Sequence, residues 1–170
     1  MRNTYIIFLL FTLSIILNAQ NNSSQINTSE NKKIGKVTGI GGIFFKTENP
    51  EQTRQWYYKN LGLVPNDYGS MFEFRESDSK KIGYLQWSPF NKSTNYFEPS
   101  GKDFMINYRV VNIEALVDQL RENGVTIVDS IETYDYGKFV HIMDPDGNKI
   151  ELWEPVDSPF TEAYEGKTTK

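Results

Sequence analysis

The chain has 170 residues, 22 acidic and 18 basic side chains, one histidine and no cysteine. The lack of cysteine excludes disulfides, thiolate metal sites, cysteine nucleophiles and a lipid-modified N-terminal cysteine together. A net charge of −4 with no basic stripe argues against a phosphate-backbone binder, so no nucleic-acid partner is expected.

Arg2 precedes an uncharged, mostly apolar run from Tyr5 to Leu17, and small Ala19 follows at a cleavage-like position. This is the pattern of a secretory signal peptide over residues 1–19. As a helix the run would span roughly 20 Å, short of the roughly 30 Å hydrocarbon core. An uncleaved anchor is therefore the weaker reading, and no stable membrane span is expected after cleavage. The expected location is periplasmic or secreted. Residues 20–35 read as a flexible polar leader, because they carry almost nothing to bury. Residues 36–156 hold one domain's worth of sequence. Residues 157–170 read as a polar tail in which Phe160 and Tyr164 could dock on the body.

The domain repeats. The alternating run from Gly42 to Thr47 leads into Asn49-Pro50-Glu51, and the run from Met105 to Val111 leads into Asn112-Ile113-Glu114. Asn49 and Asn112 are suited to cap helices, Pro50 suits a first helical position, and the acids complement the helix dipole. The second helix carries Ile113, Leu116, Val117 and Leu120 on one stripe and stops at Asn123-Gly124. The first is predicted to bury Thr53, Trp56 and Leu61 before Gly62. Strand patterns follow: Ser70 to Arg75 and Ile82 to Trp87 in one unit, and Thr126 to Ile131, Lys138 to Met143 and Lys149 to Trp153 in the other. The units end alike, on Trp87-Ser88-Pro89 and Trp153-Glu154-Pro155. The pattern predicts an α+β fold of paired βαβββ modules, 36–91 and 100–156, forming a curled mixed sheet around a central cleft.

The last hairpin is the most informative segment. Asp144-Pro145-Asp146-Gly147 is strong turn chemistry, with Gly147 at a left-handed position. Strand alternation then sets Val140, Ile142, Ile150 and Leu152 on one face. Phe139, His141, Lys149, Glu151 and Trp153 share the other. A face that mixes aromatic and charged side chains suggests a cavity wall.

From about residue 36 to 156 the chain resembles the vicinal oxygen chelate superfamily, which includes glyoxalase I, bleomycin-resistance proteins and extradiol dioxygenases. The matching pieces are Trp56 to Leu63, Phe104 to Val110 and Asp144 to Pro155. Metal-dependent members hold a divalent ion with His or Gln and Glu on the first and last strand of each module. The resemblance carries those positions onto Gly42, Met105, Leu85 (or Gln86, one residue on) and Glu151. Only Glu151 has good ligand chemistry there, since glycine has no side chain and thioethers suit hard cations poorly. A catalytic site commonly needs about three protein ligands. No cofactor is therefore expected, although a divalent metal held weakly by Glu151 and His141 stays open.

Strand parity predicts a cleft walled by Phe44, Phe139 and Trp153, with Asn107, Arg109 and Lys149 as polar binding points and Glu151 and His141 as candidate acid–base residues. Gly42 would open space, and Tyr134 and Tyr136 would form the rim. The plainer alternatives are a hydrogen-bonded strand histidine and an ion pair of Glu151 with Arg109 or Lys149. The leading expectation is metal-independent binding of a small, partly aromatic or amphiphilic molecule. The alternative is a lyase, isomerase or dioxygenase-like enzyme. A homodimer is compatible with either.

Overall fold

The structure, a computed structural model, describes residues 34–76 and 80–169. The expected signal peptide and the leader up to residue 33 lie outside the described residues. The elements run β1 (Lys36–Thr47), α1 (Pro50–Leu61), β2 (Ser70–Arg75), β3 (Ile82–Asn91), β4 (Phe104–Val111), α2 (Ile113–Glu122), β5 (Thr126–Ile127), β6 (Glu132–Tyr134), β7 (Gly137–Met143), β8 (Lys149–Pro155) and α3 (Ser158–Tyr164).

The strands form one mixed sheet in the order β2-β3-β1-β4-β8-β7-β5, with β6 added beside β7. In each module the first and last strands are parallel neighbours, β1 with β3 and β4 with β8. The modules join through the antiparallel pair β1–β4. This is the expected α+β architecture of paired modules. The first module is the sparser one: outside its three strands, the described residues add only isolated bridges, Pro65 to Ser70 and Phe72 to Thr169. The predicted strand from Thr126 to Ile131 is also shorter, because the chain leaves the sheet after Ile127 and returns as β6.

The two long helices differ in what they bury. In α2, Ile113, Leu116 and Val117 pack with Val110, Val140, Ile142 and Leu152 into the main core, with Leu120 at its margin. The predicted stripe is therefore correct. In α1 no residue is buried, and Trp56 and Leu61 are more than half exposed. Polar side chains interrupt its apolar positions, so it rests on the sheet mainly by Tyr57, whose ring lies 4.5 Å from that of Trp87.

The helix starts differ too. Asn49 caps α1 as expected, its side-chain oxygen accepting from the Gln52 amide at 3.0 Å. Asn112 instead adopts a left-handed conformation, φ 58°, and makes no side-chain cap. The Glu154 carboxylate at the end of β8 accepts from the amides of Asn112 (2.8 Å) and Ile113 (3.1 Å). A negative charge from the adjacent strand thus serves the orphan amides and the helix dipole.

The β7–β8 turn has Gly147 at φ 76°, and Asp144 Oδ1 accepts from the amides of Asp146 and Asn148. The segment after residue 156 is more than a polar tail. It forms α3, then returns to the first module, where the Thr169 amide donates to the Met71 carbonyl at 2.8 Å and Thr169 Oγ1 meets Ser70 Oγ at 2.7 Å.

Candidate functional site

A single register row crosses the middle of the sheet. Met71, Gln86, Gly42, Asn107, Glu151 and His141 stand side by side on β2, β3, β1, β4, β8 and β7. The row corrects two expected positions. Leu85 lies on the opposite side of β3, beside Ile40, Ile43 and Trp87, and Gln86 is the residue that faces the cleft. Met105 is fully buried with Phe44 and Phe97 in a small second core, and Asn107 is the residue beside Glu151. A register irregularity in β1 leaves Gly41 without its own partner on β4. A Cβ on Gly41 would come within 2.2 Å of Asn107 Oδ1 and 2.7 Å of the Trp153 ring, so the close approach requires glycine.

Glu151 is buried at the centre of a hydrogen-bonded cluster. Its Oε1 accepts from Asn107 Nδ2 at 2.5 Å. Its Oε2 accepts from the Tyr96 hydroxyl and lies 2.9 Å from His141 Nε2. On the other side of the imidazole, Nδ1 lies 2.6 Å from Asp129 Oδ2, and the His141 amide donates to Asp129 Oδ1 at 2.8 Å. Both ring nitrogens thus face carboxylates. Ionised carboxylates only accept, so the doubly protonated ring satisfies both contacts. Burial lowers the His141 pKa, but the hydrogen bonds and charges of Glu151 and Asp129 outweigh it, and the net direction is upward. The Tyr96 hydroxyl is pushed far up by burial and by the Glu151 charge, which keeps it a donor.

The two expected ion-pair partners of Glu151 are both engaged elsewhere. Arg109 is fully buried beneath the Trp153 ring, at 5.0 Å. Its guanidinium makes a two-pronged pair with Asp157 (3.0 and 2.6 Å) and a further bond to Glu76 at 2.8 Å. It anchors the start of α3 and does not wall the cavity, contrary to its expected binding role. Lys149 donates to the Tyr96 carbonyl at 2.8 Å and sits over the Tyr96 ring, fixing the segment that brings the Tyr96 hydroxyl to Glu151. Burial lowers the Lys149 pKa, against the pull of Asp129 and Glu151.

Above the row lie adjoining hollows of about 380 and 440 Å3. They share Phe44, Tyr68, Gln86, Tyr136, Phe139 and Glu151 as walls. The inner hollow adds Asn107, Trp153, Phe160 and Tyr164, and the outer adds His141, Tyr96 and Tyr134. The Phe139 and Trp153 rings are stacked at 5.8 Å, and Phe160 meets Trp153 edge-on at 5.4 Å. Tyr134 and Tyr136 stack at 5.2 Å and are partly exposed at the rim. The structure therefore brings Phe44, Asn107, Phe139, His141, Glu151 and Trp153 to one cavity. Sequence reasoning missed Tyr96, Asp129 and a wall role for Phe160 and Tyr164. Tyr96 lies outside any periodic pattern, Asp129 falls in the strand pattern from Thr126 to Ile131 with nothing to mark its partner, and the only signal for the last two was their aromaticity in a polar tail.

The row also tests the metal site that such folds often carry. Gly42 offers no donor. The Gln86 amide nitrogen donates to the Trp87 carbonyl at 3.1 Å, and its oxygen lies 3.4 Å from Asn66 Nδ2. Both Glu151 oxygens already accept hydrogen bonds. Among the described residues, no group of three or more His, Cys, Asp or Glu is disposed to hold a metal ion. The residues present do not fit a catalytic divalent ion.

Two modules sharing a sheet around an aromatic cleft, with the last-strand glutamate at its floor, define a glyoxalase-type fold. The chain belongs to the Glyoxalase/Bleomycin resistance protein/Dioxygenase superfamily, whose family model matches residues 39–152. Among solved structures it is similar to methylmalonyl-CoA epimerase from Mycobacterium tuberculosis, with 19% identity and a TM-score of 0.50 over 71% of this chain and 89% of that one. It is likewise similar to the Streptomyces coelicolor methylmalonyl-CoA epimerase in complex with 2-nitronate-propionyl-CoA, with 15% identity and a TM-score of 0.52 over 71% and 99%. A methylmalonyl-CoA epimerase in complex with methylmalonyl-CoA and ammonium gives 15% identity and a TM-score of 0.53 over 71% and 96%. These likenesses establish the fold alone. No curated protein matches the chain.

Proposed function

We propose that this protein binds a small, largely apolar organic molecule in the cleft, without a catalytic divalent metal. The observation that carries this reading is the pairing of an aromatic cavity with a floor whose one carboxylate, Glu151, is already held by Asn107, Tyr96 and His141. Cavities of a few hundred Å3 with apolar walls and few convergent polar groups suit small-molecule binding. The methylmalonyl-CoA of the epimerase complex is a polyanion. Here no Lys or Arg stands among the described cavity walls, which favours a different ligand class. Export to the periplasm or the outside belongs to the same proposal and rests on Arg2, the Tyr5–Leu17 run and Ala19.

A second reading is supported by the Asp129–His141–Glu151 chain of contacts. A carboxylate backed by an imidazole that is itself held by a second carboxylate can accept and pass on a proton. In that reading Glu151 is the acid–base group of a lyase or isomerase, with His141 as its proton reservoir.

Metal analysis of protein purified without chelator, combined with a thermal-shift screen across small-molecule classes, tests the proposal, because a ligand that binds the native state raises its stability by mass action. Aromatic amphiphiles should raise the melting temperature, while zinc, manganese, nickel and ferrous ions should not. About one tightly held ion per chain, lost in Glu151→Ala, would overturn the metal-independent reading.

A further inference from the structure

We infer that the ligand of this cavity is an organic cation: an amine or quaternary ammonium on an apolar or aromatic body. The inference rests on the binding proposal above and narrows its chemistry.

The argument starts from which charges face the hollow. The charged groups among its described walls are Glu151, Glu132 and His141. His141 is flanked by Glu151 and Asp129, so its positive charge is outnumbered by the carboxylates that touch it. Of the two nearby cations, Arg109 is spent on Asp157 and Glu76, and Lys149 lies outside the walls, bonded to the Tyr96 carbonyl within reach of the Asp129 and Glu151 charges. The cavity walls thus hold two carboxylates, Glu151 and Glu132, against one imidazole, with no Lys or Arg side chain among them.

The floor also offers no free donor to an anion. Asn107 is 2% exposed, and its amide nitrogen is committed to Glu151. Its Oδ1 is buried with no hydrogen-bond partner among the described residues. Gly41 closes over that oxygen, since a Cβ there would come within 2.2 Å of it.

The apolar walls complete the match. Tyr84, Tyr136, Phe139, Trp153, Phe160 and Tyr164 all contribute to the inner hollow. Aromatic faces carry negative quadrupole density, and clusters of them bind ammonium groups. A cavity that offers π faces and carboxylates, with no Lys or Arg and no free donor in its walls, favours positive over negative charge.

Three probes of one shape test this: benzyltrimethylammonium, its uncharged isostere neopentylbenzene, and phenylmethanesulfonate. Binding is read by Trp fluorescence and melting shift on the full chain. The cation should bind at least about tenfold more tightly than the hydrocarbon, and the sulfonate should bind more weakly than either. Glu151→Gln should remove most of the advantage of the cation over the hydrocarbon. Tyr136→Leu, a change at the partly exposed rim, should reduce it several-fold even if the Glu151 variant fails to fold. Hydrocarbon binding as tight as the cation's, or a preference for the sulfonate, overturns the cation inference but leaves small-molecule binding standing. Failure of all three probes to bind overturns both.

Discussion

Glu151 and His141 stand directly opposite each other across the β7–β8 register, and their side chains meet at 2.9 Å on the cleft side of the sheet. The contact joins the last strand of the second module to a titratable ring that Asp129 fixes from behind. Its consequence is electrostatic. An imidazole between two carboxylates stabilises the folded chain only while it carries its proton.

That proton is directly observable, because His141 is the only histidine in the chain. Proton NMR of the ring should give a pKa above the ordinary value of about 6.5. The folded pKa is raised, so the stabilisation is fully present below the unfolded value and is lost as pH rises through the folded value. The difference in melting temperature between wild type and His141→Gln should therefore shrink on going from pH 6 to pH 9. A ring that titrates below the ordinary value would show that burial outweighs the two carboxylates.

The unequal burial of the two long helices predicts unequal tolerance. Ile113 is fully buried in the main core, so Ile113→Ala should cost about 2–5 kcal/mol by denaturant unfolding. Leu61, at the end of α1, is 59% exposed, and Leu61→Ala should stay within about 0.5 kcal/mol. Equal losses would mean that α1 is covered by a partner in solution.

The cap on α2 comes from another element, so its removal should register as a loss of stability. Glu154→Ala should cost about 0.5–2 kcal/mol, with Asp at 154 recovering little because its shorter side chain reaches less far from the strand. Asn112→Ala should remove no cap hydrogen bond, although it places alanine at φ 58°. The comparison is informative in Glu154: a neutral Glu154→Ala would mean that water serves these amides equally well.

The C-terminal segment closes one side of the cavity with Phe160 and Tyr164, and Tyr84 Oη donates to Thr161 Oγ1 at 3.0 Å to hold α3 there. Ending the chain after Asp157 should lower the melting temperature and raise the fluorescence of a hydrophobic dye, because aromatic walls become open to solvent. Phe160→Ala should move both readouts in the same direction and by less. An unchanged dye signal in the shortened chain would remove α3 from the cavity wall.

Much of this protein was legible from its sequence, for local reasons. The α2 stripe, the Asn49 cap, the Gly147 turn and the two-sided β7–β8 hairpin each follow from spacings of a few residues and from the conformational preferences of Asn, Pro and Gly. The duplication was legible as well, because Trp87-Ser88-Pro89 and Trp153-Glu154-Pro155 mark equivalent strand ends. Parity then placed Phe44, Asn107, Phe139, His141, Glu151 and Trp153 on the cleft side, where they line the cavity. Register and partnership were decided only in three dimensions. The β4–β8 register set Asn107 and not Met105 beside Glu151, and strand pairing gave Gln86 and not Leu85 to the cleft. Tyr96 reaches Glu151 from a connecting segment 55 residues away, and Arg109 finds Asp157 48 residues on. Such contacts leave no periodic trace, since a side chain's partner depends on which distant backbone the sheet brings within hydrogen-bonding reach.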